Sequence, residues 1–318
     1  MNEFDDIRLD VQRLIEEQSQ KLPPYDPTAR SGDGLGPTGR AKALARLYWR
    51  GALIKTGLHR RLIYANLKLD WFYEFQDYWV NELNNRPVQP HDFYFLHGVY
   101  RQQIQHYPGD PIGGDTEMPP APADETHLRV WQDPRIIYYL FANQYKLALH
   151  PLKAHRFVKF IPRRGNVCEY GCGAAPIATS LVKYYPHLDL TITCADIAHI
   201  VFHQTRWKFR SSPFVRTVLI TPGNDAPLDD HYDVIFCVEV LEHLPRPLQV
   251  LQHLGSCLKP GGYLVFDYVR SEGKGLDTAA GLKDRPQVLR YILDRFVVVE
   301  GEIPLDGTHV NTTVVQKP

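Results

Sequence analysis

At 318 residues the chain is too long for one ordinary domain and fits two, or one large domain with an extension. Apolar residues at 44% and charged residues at 23% exclude the disordered and collagen-like classes. The 36 basic and 36 acidic residues cancel, which weakens the case for a dedicated nucleic-acid binder but leaves room for a local basic face.

The acidic opening Met1–Asp6 leads into no apolar core of the kind a signal sequence needs. No stretch reaches the roughly 18 consecutive apolar residues of a membrane span, so a cytoplasmic location is expected. Ile7, Val11, Leu14 and Ile15 predict a short amphipathic helix, and residues 22–39, with four Pro and four Gly, a loop. Helical spacing continues over about 40–84, with a break at Gly51 or Gly57, and again over 91–106 after Pro90-His91-Asp92. Five Pro and three Gly make 108–122 a loop, linker or lid. A last helix is predicted over about 133–149, carrying Ile136, Ile137, Leu140, Phe141 and Tyr145.

Two features of this half bear on ligands. From Arg40 to Lys68 there are eight basic residues and no acidic one, which suits an anionic acceptor or surface but more often marks a solvated helix face. Aromatic residues crowd the same half, 23 of 37 falling in 1–163. Trp71-Phe72-Tyr73, Phe75, Tyr78-Trp79, Phe93-Tyr94-Phe95 and Tyr138-Tyr139 can wall a pocket, but packing of a helical layer or of a second subunit is the commoner use.

From residue 165 the texture changes. NVCEY, LTITCAD, VRTVLIT, YDVIFCV, GYLVFDYV, RFVVVEGEI and HVNTTVVQ read as strands alternating with helical patterns, except that the last two lie close together and read as a hairpin. Such alternation implies a parallel sheet covered on both faces, with ligands at the carboxyl ends of its strands. Cys168, Cys172, Cys194, Cys237 and Cys257 form no CxxC pair and read as reduced, mostly buried thiols. His199 and His203 have metal-ligand spacing, but no third ligand is evident, so no metal is expected.

The chemistry-bearing motifs follow one another in order. The first strand runs into Glu169-Tyr170-Gly171-Cys172-Gly173-Ala174-Ala175-Pro176, where two glycines let the backbone turn sharply beneath a ligand and a helix N-terminus offers free N–H groups. Pro176 replaces the third glycine of a nicotinamide fingerprint, yet proline is well tolerated in a first helical turn. Asp196 ends the second strand, 23 residues beyond Gly173, where a carboxylate can accept from both ribose hydroxyls. Asn224-Asp225-Ala226 follows the third strand, Glu239-Val240-Leu241-Glu242-His243 the fourth, and Leu258-Lys259-Pro260-Gly261-Gly262 leads into the fifth.

On these motifs residues 165–318 resemble the class I S-adenosylmethionine-dependent methyltransferases, and the EVLEH and LKPGG segments resemble the ubiquinone-pathway O-methyltransferases. The resemblance implies an α/β fold: a Rossmann-like, seven-stranded, mostly parallel sheet with a closing antiparallel hairpin. The chain then divides into a mainly helical extension, 1–160, serving substrate selection, lid or oligomer contacts, and a methyltransferase domain, 161–318. It implies that Glu169, Tyr170, Gly171 and Gly173 border the methionine part of the cofactor and that Asp196 holds the ribose. Ile197 would pack on adenine, Asn224, Asp225 and Ala226 would meet its edge, and Val238 and Glu239 would line the reacting centre.

The sulfonium is already an activated leaving group, so the protein must chiefly align a nucleophile and exclude water. A hydroxyl acceptor also benefits from a base. His243 is the candidate, with a structural imidazole as the alternative. Glu242 reads as its carboxyl partner or as a carboxylate serving a helix dipole. Asp267 and Tyr268, ending the fifth strand, are further polar candidates, and Ser271–Lys283 is a candidate lid.

The expected activity is methyl transfer to a hydroxyl or amine of a small, perhaps anionic, biosynthetic intermediate or sugar, with homodimer contacts through the N-terminal helices left open. The alternatives are methylation of a macromolecule and a silent cofactor-binding regulatory subunit. The Asn-Pro-Pro-Tyr-type signature of amino-group methylation is missing after the fourth strand, where Cys237-Val238-Glu239-Val240 stands, and nucleic acid is not the expected acceptor.

Overall fold

The computed structural model describes residues 45, 49, 56, 69–85, 87, 131, 139–141, 143, 144, 147, 152–221, 223, 224, 226–269, 277–305 and 309–318. The predicted helices over 7–15 and 91–106, the loops over 22–39 and 108–122, and most of the basic segment 40–68 lie outside them. The chain divides into two compact units. One comprises Ile7–Ile104 and Pro134–Pro151; the other comprises Met1–Asp6, Gln105–Asp133 and Leu152–Pro318. The division is therefore discontinuous in sequence: residues 105–133, read above as part of the extension, group with the C-terminal unit.

In the first unit, α1 spans Leu69–Asp77 and runs on into a π-helical turn, Tyr78–Glu82. Phe75, Tyr78 and Trp79, at i, i+3 and i+4, share one buried face. Phe75 stacks on Trp79 with ring centroids 5.7 Å apart, and Phe141 stands edge-on to both, at 5.4 and 4.8 Å. Edge-to-face geometry of this kind adds about 0.5–1.5 kcal/mol per pair beyond area burial. Residues 139–141, 143, 144 and 147 are helical, as predicted, with Leu140, Phe141, Gln144 and Leu147 buried. These aromatics are core.

The second unit is built on a seven-stranded sheet: β1 (Asn166–Tyr170), β2 (Thr191–Ile197), β3 (Val215–Ile220), β4 (Tyr232–Cys237), β5 (Leu258–Tyr268), β6 (Val297–Glu300) and β7 (Val310–Gln316). The order across it is β3-β2-β1-β4-β5-β7-β6; all pairs are parallel except β5–β7 and β6–β7. Consecutive residues of β1, β2 and β4 are buried, the mark of strands covered on both faces. The connecting helices are α2 (Pro176–Tyr184), α3 (Ile200–Phe209), α4 (Pro247–Cys257) and α5 (Ala279–Arg295).

The closing hairpin forms as read, with β7 inserted between β5 and β6. One detail differs. The LKPGG segment is the start of β5, not a turn before it: Tyr232 pairs with Leu258 and Val234 already with Tyr263, so the extra residues form an irregularity in which Gly261 takes φ +75°. Because the order reverses between β1 and β4, their carboxyl ends open a crevice, the position where open α/β sheets bind ligands. The following turns define the site.

Candidate active site

The turn after β1 has three successive odd positions in the left-handed region: Gly171 (φ +64°), Gly173 (φ +50°) and Ala175 (φ +50°). Gly171 is required twice over, since a β-carbon there would lie 2.4 Å from Val240 Cγ2. At Gly173 a β-carbon would meet only Val201, at 4.0 Å, so this backbone faces open space into which a ligand can settle. Pro176, the first residue of α2, lacks an N–H that would need a partner. The next two amides donate to Glu169: Ile177 N to Oε1 at 3.0 Å and Ala178 N to Oε2 at 2.8 Å. Glu169 thus caps α2 from below the turn, and its burial raises its pKa to about 7 against those two bonds. Tyr170, on the same strand end, is buried.

The β2–α3 connection holds the turn from the side. Asp196 accepts from Gly173 N through Oδ2 (2.6 Å) and from Ile197 N through Oδ1 (2.7 Å), and His199 Nε2 lies 3.4 Å from Oδ1. Thr205 Oγ1 donates to Gly173 O (2.6 Å), and Lys208 Nζ donates to Ala174 O (2.9 Å) and Thr179 Oγ1 (3.1 Å). His199 serves Asp196, a structural use for one of the two histidines with metal-ligand spacing. Ile197 is half-buried beside it. Asn224 and Ala226 are exposed and linked by an Ala226 N to Asn224 Oδ1 bond (3.1 Å); Asp225 lies outside the described residues.

The turn after β4 is less settled. Val238 is half-buried and Glu239 exposed, and Glu239, a non-glycine at φ +56°, has its amide fixed by Asp267 Oδ1 at 2.6 Å. An ordinary residue in the left-handed region costs about 1–2 kcal/mol, strain that the Asp267 contact offsets. Burial pushes the Asp267 carboxyl up to about 7. Leu241–His243 then form a 3-10 turn. His243 lies between two carboxyls, with Asp277 Oδ1 3.6 Å from Nδ1 and Glu242 Oε1 3.9 Å from Nε2, and its side chain keeps 22% exposure. Both separations exceed hydrogen-bond reach.

Glu242 is almost fully buried, and no hydrogen bond reaches its Oε2. Burial first, then the neighbouring Asp267, Asp277 and Glu239, raise its pKa to about 8, so it is mainly protonated at neutral pH. Asp277 is therefore the better counter-charge for an imidazolium.

Two readings are corrected here. Tyr268, taken as a pocket residue, is wholly enclosed; its hydroxyl donates to Gly281 O, and burial holds its pKa well above the usual phenol range. The described part of the candidate lid, 277–283, is anchored rather than loose. Thr278 N donates to Glu242 O (2.9 Å), Thr278 Oγ1 donates to Leu244 O (2.8 Å), and Gly281 N donates to Thr278 Oγ1 (2.8 Å), capping α5. Residues 271–276 lie outside the described residues.

Sequence reading missed Asp277 and Trp131. Asp277 is 34 residues from His243, so only folding brings them together. Trp131 packs against His199 (centroids 6.0 Å) and edge-on to His243 (5.5 Å), a pairing with no local signal in the sequence.

Residues 141–295 match a family model described as "Methyltransferase domain". Over these residues the chain is similar to a methyltransferase domain. Ubiquinone biosynthesis O-methyltransferase of Yersinia pestis is 27% identical over 134 residues, 40% of this chain and 53% of the relative, so the chain spans about half the length of the curated relatives it matches. Among solved structures, an O-methyltransferase family protein from Burkholderia thailandensis is 13% identical, with a TM-score of 0.47 over 71% of this chain and 70% of that one. A SAM-dependent methyltransferase from Aquifex aeolicus is 16% identical, with a TM-score of 0.39 over 61% and 98%. Likenesses this distant carry no argument about substrate.

The methyltransferase resemblance points to S-adenosylmethionine as the cofactor. Its residues fit the group: the open backbone at Gly173 leaves room for it, Asp196 retains lone pairs for hydroxyls, and exposed Glu239 suits a cationic neighbour. Among the described residues no helix is long and apolar enough to cross a membrane.

Proposed function

We propose that the protein moves the methyl group of S-adenosylmethionine to a hydroxyl of a small-molecule acceptor, with His243 as the general base. The observation that carries this reading is the placement of His243, half-open after β4 and flanked by Asp277 on its Nδ1 side. When bound, the cofactor supplies a methyl group on a positively charged sulfur. The chain's residues do the rest. Asp196 and the Gly171–Gly173 turn seat the donor, Val238 and Glu239 line the reacting centre, and Ile197 with Asn224, Asp225 and Ala226 receive the adenine. His243 accepts the hydroxyl proton as the oxygen attacks, and Asp277 stabilises the imidazolium that results. The acid-free run from Arg40 to Lys68 suits an anionic acceptor, and the extension, 1–160, is the region we assign to acceptor choice and to subunit contacts.

The test is methyl transfer from labelled S-adenosylmethionine into extract fractions, with His243→Ala as control. Label in a small organic molecule, lost with the variant, supports the reading. Label in protein or nucleic acid would show a macromolecular acceptor, and cofactor binding without any transfer would show a silent subunit.

A further inference from the structure

Asp196 serves the fold and the ligand with one carboxylate. Its Oδ2 accepts from Gly173 N at 2.6 Å and its Oδ1 from Ile197 N at 2.7 Å, one amide on each oxygen. An ionised carboxyl has about four lone-pair sites, so what surrounds the other two decides where a ligand hydroxyl can bind. His199 stands at one of them. It is the residue before α3, its carbonyl already accepts from His203 N at 2.9 Å, and its side chain gives the helix no cap. The ring turns to Asp196 instead, with Nε2 3.4 Å from Oδ1.

That placement runs against two local preferences. Ser, Asp or Asn at this position would bond the first free amides of α3, which the imidazole does not. A carboxylate beside Nε2 also favours the tautomer with the proton there, which leaves Nδ1 as an acceptor. The His199 side chain is only 4% exposed and no hydrogen bond reaches Nδ1, an arrangement that destabilises a fold. Among the described residues the polar group facing the ring is Asp196. Ile197 N and the imidazole occupy Oδ1 between them, so the unobstructed site of Asp196 is on Oδ2, beside the open backbone of Gly173.

We propose that His199 is a positioning residue for donor binding: its Nε2–H sets the orientation of the Asp196 carboxylate and directs the open site on Oδ2 to the ribose. The proposal rests on the function inferred above, in which Asp196 seats the donor. The ring acts through Asp196 and need not touch the ligand.

The experiment compares His199→Phe and His199→Gln with wild type in the full chain. Phe keeps a flat ring without nitrogen, and Gln keeps an N–H at the reach of Nε2. The first readout is calorimetric titration with S-adenosylhomocysteine. We expect Phe to weaken binding by about tenfold and Gln to recover most of the loss. In an Asp196→Ala background, His199→Phe should add no further loss, since the effect passes through the carboxylate. The second readout needs no ligand: the NMR shifts of the Gly173 and Ile197 amide protons, both bonded to Asp196, should move in His199→Phe and return in His199→Gln. Wild-type affinity in a folded Phe variant would overturn the proposal, as would a full tenfold loss added to that of Asp196→Ala. Weakened binding with both amide shifts unmoved would overturn it too, because the ring would then serve packing alone. Should wild type fail to bind S-adenosylhomocysteine, the proposed function falls, and the amide shifts still decide whether His199 sets Asp196.

Discussion

The turns after β1 and β4 face each other across one crevice but are finished to different degrees. After β1, both oxygens of Glu169 and both of Asp196 accept backbone amides, and Thr205 and Lys208 bind the two carbonyls of the turn. After β4, His243 stands 3.6 and 3.9 Å from its carboxyl neighbours, Glu242 Oε2 has no hydrogen bond, and Glu239 is held in a strained conformation. The first turn can hold its shape before any ligand arrives, because its own groups satisfy one another. The second turn keeps strain and an unsatisfied carboxyl oxygen, features that concentrate where function opposes stability.

Chemistry is the sharpest way to break this contrast. His243→Ala should lower turnover by about 10²–10⁴-fold while S-adenosylhomocysteine affinity stays nearly constant, because the imidazole belongs to the second turn alone. Asp277→Asn should fall between that variant and wild type and displace the pH–rate profile, and Asp277→Glu should recover part of the loss. A profile unmoved by Asp277→Asn would leave the carboxylate without a role in the proton transfer.

On the donor side the expected loss is in binding. Asp196→Ala removes an acceptor that ties Gly173, Ile197 and His199 together, so it should weaken donor affinity by about 100-fold, roughly 2.7 kcal/mol, by calorimetry. The glycines give a finer comparison. Gly171→Ala should cost about 2 kcal/mol of stability, since its β-carbon meets Val240 and its φ is +64°. Gly173→Ala should cost about 1 kcal/mol of stability, having open space around it, and should show its main effect on the donor. Equal melting shifts in the two would deny that Val240 is the reason for Gly171.

The donor half was legible because its signals are local. NVCEY is β1 residue for residue, and the glycines and Asp196 sit where strand ends turn, so spacing along the chain translates directly into position. The acceptor half was not. Asp277 reaches His243, and Thr278 reaches Glu242 and Leu244, only after α5 docks on the turn beyond β4, and nothing near residue 131 foretells its contact with two imidazoles. Tyr268 misled for a related reason: the end of a strand was identified, but not that α5 would cover it and take its hydroxyl. Glu239 and Ala175 in the left-handed region are likewise invisible to propensity, which assigns that conformation to glycine.

The smallest effect sharpens the comparison by pH. Glu242 has an ordinary pKa of 4.5 that the fold raises to about 8, so between those values the folded protein keeps a proton that the unfolded chain has released. Stability then falls as pH rises through this window, the reverse of the usual paired carboxylate. Asp267 and Glu169, each raised to about 7, add slopes of the same sign. Glu242→Gln stays neutral throughout, so its melting temperature should fall less than that of wild type as pH rises, with the gap opening from about pH 5 and levelling off above about pH 8. The matching test on the donor side is Glu169, where the loss should end about one pH unit lower, near pH 7, because its two amide partners oppose its burial. Parallel melting curves for wild type and Glu242→Gln would mean that this carboxyl ionises in the fold as easily as in water, and that the second turn is wetter than its burial implies.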